Sequence, residues 1–300
     1  MISISIRSSE SGEKISENTA HEPKTARIET GKKENIVMRA TKYGLNRTRT
    51  APRFWRYRLT EGRTNRRLLV CSRKSIEYGG LRETPLVSVL IPTFQNSDVL
   101  VDRTLPSVLS QTYQNFEIVI VGDACSDEHV HRIRSWMDDR NDPRIRFYNL
   151  PERGSYPSDP HCRWCVAGVT PANKAIELAR GEWFTPLDDD DEFTKDHIES
   201  LLRFATNKRL EFVYGIVHSE KKDGSWMEIG SAPLRFAQIS HLSVLYHRRL
   251  AFFRYDIDAW KYAEPADWNM WRRMNEAGAK IGFLPEVVGI HYREKSRLGI

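Results

Sequence analysis

Short apolar runs alternate with segments of helical periodicity from residue 85 onward. Four runs are rich in apolar and β-branched residues and predict buried strands at 85–92, 116–121, 145–148 and 183–187. Between them, apolar positions recur at helical spacing over 100–111, 127–137 and 171–179. Strands that alternate with helices in this way predict an α/β fold with an open, mostly parallel central sheet and right-handed crossovers.

Four consecutive carboxylates, Asp188 to Asp191, come directly after the fourth predicted strand. Adjacent carboxylates repel one another, and a bound divalent cation offsets that repulsion. Hard oxygen ligands suit Mg²⁺ or Mn²⁺, which in turn suit phosphate-bearing substrates. A solvated acidic loop is the ordinary alternative. The position of the acids at the carboxyl end of a strand, where open α/β sheets bind ligands, favours the metal site.

Several short segments follow one another along the chain: Pro-Thr-Phe-Gln-Asn at 92–96, Ser-Val-Leu-Ser-Gln-Thr-Tyr at 107–113, Phe-Glu-Ile-Val at 116–119, Gly-Asp-Ala-Cys-Ser-Asp at 122–127, and the strand with its acids at 179–191. In this order they resemble the motifs of the family-2 glycosyltransferases, which have the GT-A nucleotide-sugar-binding fold. The resemblance covers roughly residues 85–293. The turn at 122–127 keeps only the second and the last acid of the family's Asp-Asp-Gly-Ser-x-Asp pattern.

The resemblance implies a metal site and a nucleotide-sugar site at the strand ends. Asp188 and Asp190 match the family's Asp-x-Asp pair that holds Mn²⁺ or Mg²⁺, while Asp189 or Asp191 would act through water or contact the sugar. His291 follows a strand-like run and is either a metal or phosphate ligand or an ordinary polar residue. The candidates for binding the nucleotide sugar are Pro92, Thr93, Phe94, Asp123, Arg153, Asn173, Lys174, Asp188 and Asp189.

Three of these nucleotide-sugar candidates have ordinary alternatives. Asp123 can be a helix N-terminal cap, because a helix is predicted to begin close behind it. Lys174 and Arg153 can simply be solvated, since lysine and arginine are mostly exposed.

An acidic residue in the C-terminal part of the chain is the candidate general base. Attack by an acceptor hydroxyl requires a group that takes its proton. The family supplies an acid at the start of a late helix, and Asp267 occupies the matching place, with Glu264 as the alternative. Asp267 can instead be a first-turn carboxylate that complements the helix dipole. Because the resemblance supplies one such acid, it implies a transfer that inverts the anomeric centre. The donor would be a nucleotide diphosphate sugar, and the acceptor a saccharide, lipid-linked or other hydroxyl, as in polysaccharide biosynthesis.

The basic charge of the chain is concentrated before residue 85. We expect a disordered tail over residues 1–38, a basic extension over 39–84 and the GT-A domain over 85–300. Residues 39–74 contain twelve basic residues and one acid, interleaved with aromatic and aliphatic side chains. This segment predicts peripheral contact with an anionic membrane, and packing on the domain or solvation are the alternatives. Four cysteines and no signal core predict a cytoplasmic protein, on the inner face of the membrane where it makes that contact.

Three competing interpretations find less support in the sequence. Cys162 and Cys165 have the spacing of half a zinc site, but no second pair of ligands accompanies them. A nucleotidyltransferase would show a phosphate loop with Gly and Lys after the first strand, and residues 92–99 contain neither. A nucleic-acid-binding protein with a degenerate sugar-binding domain would not need Asp188, Asp190 and Asp267. We therefore expect no nucleic-acid partner.

Overall fold

The computed structural model of the protein describes residues 60–78 and 84–293. The predicted tail over 1–38, and residues 39–59 and 79–83 of the basic extension, lie outside the described residues. The strands are β1 Val87–Thr93, β2 Phe116–Gly122, β3 Ile145–Asn149, β4 Trp183–Pro186, β5 Glu192–Phe193, β6 Phe212–Glu220, β7 Trp226–Ile229, β8 Val244–His247 and β9 Ile281–His291. The helices are α1 over 60–75, α2 Ser97–Val99, α3 Leu105–Leu109, α4 Asp127–Arg140, α5 Pro160–Val166, α6 Val169–Leu178, α7 His197–Lys208 and α8 Ala266–Ala277. Within the described ranges, no helix combines the length and apolar content needed to cross a bilayer.

The strands form one sheet in the order β3-β2-β1-β4-β8-β6-β9-β5, with β7 paired to β6. Strands β3, β2, β1 and β4 run parallel, and β9 runs parallel to β6. Strand β8 is antiparallel to both β4 and β6, so it joins the two parallel parts. The predicted α/β sheet is thus present, and its parallel half places the carboxyl ends of β1, β2 and β4 at one edge.

Strands β1 and β2 are buried on both faces, which explains their unbroken apolar runs. Alternate residues of β2 belong to two separate core clusters: Ile118 and Ile120 lie in one, Val119 and Val121 in the other. Helices α6 and α8 cover the Val119 face, while α4 and α7 cover the Ile118 face.

The local predictions from the sequence hold for the parallel half. All four predicted strands are present, and the predicted helix at 127–137 is α4, which ends where Asn141 adopts a left-handed conformation with φ of 47°. The predicted helix at 100–111 is α2 and α3 joined by a π-helical turn, Leu100–Thr104.

Helix α5 lies before residue 171, in a stretch for which the apolar pattern predicts no helix. Its N-cap is Asp159, whose carboxylate accepts from the backbone N–H of Cys162 at 2.9 Å, and Pro160 lies in the first turn.

The described part of the basic extension, helix α1, packs on the domain. Leu69 is 1% exposed and belongs to the core. The guanidinium of Arg73 donates two hydrogen bonds to the Glu211 carboxylate, at 2.7 and 2.6 Å. Glu211 is buried, and although burial opposes its charge, Arg73 and other donors hold its pKa below the ordinary value. Residues 60–75 therefore form part of the folded domain.

Candidate active site

The carboxyl ends of β1, β2 and β4 meet, as the parallel topology requires. The backbone N–H of Asp123, just after β2, donates to the Thr93 carbonyl at the end of β1 at 2.9 Å. The backbone N–H of Leu187, just after β4, donates to Leu90 of β1 at 3.0 Å. Main-chain hydrogen bonds thus fix the predicted nucleotide residues and the predicted acids at one edge.

Asp189 ties the acidic run to the end of β1. Its carboxylate accepts from the Thr93 hydroxyl at 2.7 Å and from the Phe94 backbone N–H at 3.2 Å. The Asn96 amide donates to the Asp189 carbonyl at 3.2 Å. Asp189 is buried, so its carboxylate holds the turn after β1 in place.

Asp191, which is fully buried, pairs with the partly exposed His291 at the sheet edge. Nδ1 of His291 lies 2.9 Å from the Asp191 carboxylate, which also accepts from the Tyr292 backbone N–H at 3.0 Å. Burial raises the pKa of Asp191, and the His291 charge opposes this. Burial also opposes the charged form of His291, but Asp191 and the charges of Asp188 and Asp190 outweigh it and raise the pKa of His291 to about 9. The imidazole is therefore close to three of the four acids.

His241 was not among the predicted site residues, yet it joins the acidic run to a second loop. Its Nδ1 lies 3.1 Å from an Asp188 carboxylate oxygen, and its Nε2 lies 2.9 Å from the Tyr255 hydroxyl. Burial disfavours the charged imidazole, but Asp188 and then Asp267 outweigh it and raise the pKa of His241. The charge of His241 thus interacts both with Asp188, a predicted metal ligand, and with Asp267, the predicted base.

Arg103 supports the loop on its other side. Its guanidinium donates to the Asp190 carbonyl at 3.1 Å and lies 4.2 Å from the centre of the Tyr292 ring. The side chain of Asp188 remains 38% exposed, whereas Asp190 is buried. The main chain of the acidic run is therefore fixed, while Asp188 keeps access to solvent.

The acids and His291 suit a hard divalent cation by chemical type. However, across residues 60–78 and 84–293 there is no group of three or more His, Cys, Asp or Glu side chains placed to hold a metal ion. The carboxylates of Asp188 and Asp191 are instead each bound to a histidine. The donor set therefore fits the cation by chemical type, and histidines orient two of its carboxylates.

The predicted nucleotide end is built around Asp123, which is buried. Its carboxylate accepts from the Gly154 backbone N–H at 3.0 Å and lies 3.7 Å from Nε of Arg153. The Arg153 guanidinium stacks 3.6 Å above the centre of the Phe94 ring. Asp123 does not cap α4, because the N-cap residue there is Ser126.

The neighbouring predicted residues are placed differently. Pro92 is the penultimate residue of β1, partly buried beside this cluster. The Asn173 amide exchanges two hydrogen bonds of 2.9 Å with the backbone of Tyr255, so it fixes the loop that contacts His241. The Lys174 ammonium pairs with Glu177 at 2.7 Å. The polar atoms of Asn173 and Lys174 are therefore engaged away from the acids.

Asp267 and Glu264 lie at the start of α8 but differ in their environment. Asp267 accepts from the Trp268 backbone N–H at 2.7 Å, and burial raises the pKa of its carboxyl against the opposing charge of His241. Glu264 accepts two hydrogen bonds of 2.9 Å from Arg272 and one of 2.7 Å from Asn269. Glu264 is thus fixed in an ion pair that anchors α8, whereas Asp267 faces the charge of His241.

The cysteine pair has no partner ligands among the described residues. Cys165 is buried, and burial raises the pKa of its thiol to about 11, so it stays protonated at neutral pH.

Parts of the chain are similar in sequence to other proteins. The hyaluronan synthase of Pasteurella multocida is 28% identical over 219 residues, which is 68% of this chain and 20% of that protein. The putative colanic acid biosynthesis glycosyl transferase WcaA of Escherichia coli (strain K12) is 34% identical over 122 residues, 41% of this chain and 38% of the relative. The chain therefore spans less than half the length of either relative.

Solved structures show the same fold. The structure of Staphylococcus aureus TarS residues 1–349 in complex with UDP-GlcNAc superposes with a TM-score of 0.54 at 17% identity, covering 70% of this chain and 59% of that chain. The mannosyltransferase PcManGT from Pyrobaculum calidifontis, in complex with GDP-Man and Mn²⁺, gives 0.53 at 15% identity, covering 77% and 69%. The expected GT-A fold is confirmed.

A family model agrees with the fold and with the order of the motifs. The model described as "Glycosyl transferase family 2" matches residues 88–157 and 171–273, more than half of the chain. The matched residues include the ends of β1, β2 and β4 and the start of α8, where the candidate site lies. The chain belongs to glycosyl transferase family 2.

Proposed function

We propose that the protein is a metal-dependent, inverting glycosyltransferase that moves a sugar from a nucleotide diphosphate sugar to a hydroxyl of a saccharide or lipid-linked acceptor. The observation that carries the proposal is the link made by His241. This residue contacts Asp188 on the donor side and is electrostatically coupled to Asp267 at the start of α8. His241 thus connects the proposed donor side of the site, at Asp188, with the proposed acceptor side, at Asp267.

The donor side is the edge that carries Asp123, Phe94 and the acidic run. Asp123 accepts hydrogen bonds and so suits a base imide or a ribose hydroxyl, while Phe94 offers a ring for stacking. Arg153 lies over that ring and beside Asp123, so a nucleobase would stack against Arg153 or displace it. The bound UDP-GlcNAc and GDP-Man of the structurally similar proteins support a nucleotide sugar as the donor.

The metal would be held by the two acids that match the family's Asp-x-Asp pair, together with His291. Asp188, Asp190 and His291 would hold the cation, and it would stabilise the charge that grows on the departing diphosphate. Asp189 and Asp191 would position these ligands, because both are buried and accept hydrogen bonds from other parts of the chain. The Mn²⁺ bound to the mannosyltransferase supports this proposal.

Asp267 would act as the general base in a single displacement. The acceptor oxygen forms the new bond to the anomeric carbon, the bond to the diphosphate oxygen breaks, and Asp267 takes the hydroxyl proton. Its raised pKa moves it toward the range in which a base works well near neutral pH. Glu264 is a weaker candidate, because both of its carboxylate oxygens already accept hydrogen bonds from Arg272 and Asn269.

The predicted membrane contact and inner-face location remain proposals. The described part of the basic extension packs on the domain through Leu69 and Arg73. Any contact with an anionic surface would therefore involve the remaining basic residues of the extension or the outer face of α1, where Leu68 and Val70 are exposed.

The proposed function is tested by incubating the purified chain with a panel of nucleotide sugars, with and without Mn²⁺, and measuring nucleotide diphosphate release. We expect one donor to be turned over only with the metal. Asp190→Asn should remove most of this activity, whereas Asp139→Asn, which changes an exposed carboxylate on α4, should not. Metal-independent turnover, or full activity of Asp190→Asn, would contradict the metal assignment. Proton NMR of the product reports inversion or retention.

A further inference from the structure

A pair of aromatic rings lies beside the proposed base, and the transfer mechanism does not use it. Phe236 is 57% exposed although its side chain is large and apolar. Its ring packs on Trp268, with ring centroids 5.8 Å apart and planes tilted by 58°. Trp268 directly follows Asp267, and its backbone N–H donates to the Asp267 carboxylate at 2.7 Å. An exposed aromatic surface therefore borders the acid.

A loop closed by its own hydrogen bonds holds Phe236 in this position. The Ser231 hydroxyl donates to the Gln238 side chain at 3.0 Å, and the Gln238 backbone N–H donates to the Arg235 carbonyl at 3.1 Å. Ala237 adopts a left-handed conformation with φ of 60°, which is unfavourable for a non-glycine residue. The backbone thus turns sharply just after Phe236, and the ring stays exposed at the loop tip.

The same segment leads to the donor side of the site. After the loop closes, Ile239 enters the core, and His241 then contacts Asp188 at 3.1 Å. One stretch of chain therefore runs from the aromatic pair to the acids proposed to hold the diphosphate. A ligand on the aromatic surface would lie beside the proposed base, at the start of the segment that leads to Asp188.

We propose that Phe236 and Trp268 form a stacking platform for the acceptor, specifically for a pyranose ring with equatorial hydroxyls; this rests on the proposed glycosyl transfer. Such a ring has an apolar C–H face that covers aromatic surface and a rim of hydroxyls, one of which reaches Asp267. A lipid chain fits less well, because it would desolvate the bordering carboxylate without offering it a hydrogen bond. The platform is an acceptor subsite on α8 and the loop 231–238.

Saturation-transfer NMR with methyl β-D-glucopyranoside tests the platform. The probe is added to the full chain together with UDP or GDP, whichever the wild type binds. We compare the wild type with Phe236→Ala, Trp268→Phe and Tyr148→Ala. Tyr148 is the matched control, because it is an exposed aromatic residue on β3 and packs near Lys174 instead of the acids. Phe236→Ala changes a mostly exposed side chain, so the fold should persist.

In the wild type and Tyr148→Ala, we expect saturation mainly on the protons of one C–H face of the sugar. Phe236→Ala should weaken saccharide binding about tenfold, the scale of losing one stacked ring, and Trp268→Phe should weaken it less. Equal saturation in Phe236→Ala and the wild type would overturn the platform, as would no saturation in a wild type that binds nucleotide. A wild type that binds no nucleotide would instead contradict the proposed function, and the platform with it.

Discussion

Replacing His241 by glutamine tests whether this histidine connects the donor side of the site, at Asp188, with the acceptor side, at Asp267. The imidazole lies 3.1 Å from Asp188 and 2.9 Å from the Tyr255 hydroxyl. Glutamine keeps hydrogen-bonding capacity, so Asp188 and Tyr255 are not left without a polar neighbour, but its flexible amide cannot fix both at once. The substitution therefore removes the orientation of Asp188 while keeping the carboxylate itself.

The expected magnitude follows from the role of a group that orients a metal ligand. Loss of such a group typically lowers metal affinity or activity by about 10- to 100-fold. That range corresponds to roughly 1.4–2.7 kcal/mol of lost stabilisation. We expect kcat/KM of His241→Gln to fall within it and the Mn²⁺ concentration needed for half-maximal rate to rise. Tyr255→Phe should have a smaller effect, because it removes only the hydroxyl at Nε2 and leaves the contact with Asp188.

The assay is nucleotide diphosphate release at a series of Mn²⁺ concentrations. His131→Gln is the matched control, since His131 is exposed on α4, where its ring lies near Ser135. Urea unfolding of each variant separates a change in the site from a loss of folded protein. If folded His241→Gln has the wild-type rate and the wild-type Mn²⁺ requirement, His241 does not position Asp188, and the connection inferred from the contacts is wrong.

Three further changes test the base, the extension and a buried histidine. Asp267→Asn should lower turnover by about a hundredfold or more, with donor binding retained, and a fully active Asp267→Asn with inactive Glu264→Gln would move the base to Glu264. Leu69→Ala should lower the free energy of unfolding in urea by roughly 2–5 kcal/mol, since Leu69 is 1% exposed, and Leu68→Ala, at 44% exposure, should change it little. Burial lowers the pKa of His197 from 6.5 to about 3, so its contribution to stability is complete above pH 6.5 and is lost as pH falls toward 3. Between pH 6.5 and 5, the wild type should lose about 2 kcal/mol of its free energy of unfolding through this histidine, and His197→Asn should not show that loss. The same pH dependence in the variant and the wild type would contradict this.

The sequence predicted the parallel half of the sheet better than the rest. Strands β1 and β2 are buried on both faces, so their apolar runs are continuous and easy to recognise. Strand β8 has only four residues and is placed by pairing with β4 and β6, which are far from one another in sequence. Propensity within a short window carries no information about such pairing, so the antiparallel part required the structure.

The candidate site was predictable where chain order and strand ends define it. Asp123 and the acidic run follow apolar strands, and this position marks them. His241 lacks any such mark: its partner Asp188 is 53 residues earlier, and the segment around it has no periodicity. Sequence also could not separate Asp267 from Glu264, because the difference lies in the ion pair that Glu264 makes with Arg272.

The arrangement of the acidic run explains how a folded chain tolerates four adjacent carboxylates. Asp189 and Asp191 are buried and accept hydrogen bonds from the Thr93 hydroxyl and the Tyr292 backbone, so the protein itself solvates their charge. Asp188 is more exposed and contacts an imidazole. The number of acids in the sequence therefore overstates the number of carboxylates that are open to a ligand. Residues 188–191 form a turn, in which the Asp191 backbone N–H donates to the Asp188 carbonyl at 3.4 Å. Asp190 is buried as well, so among the four acids it is Asp188 that keeps substantial exposure to solvent.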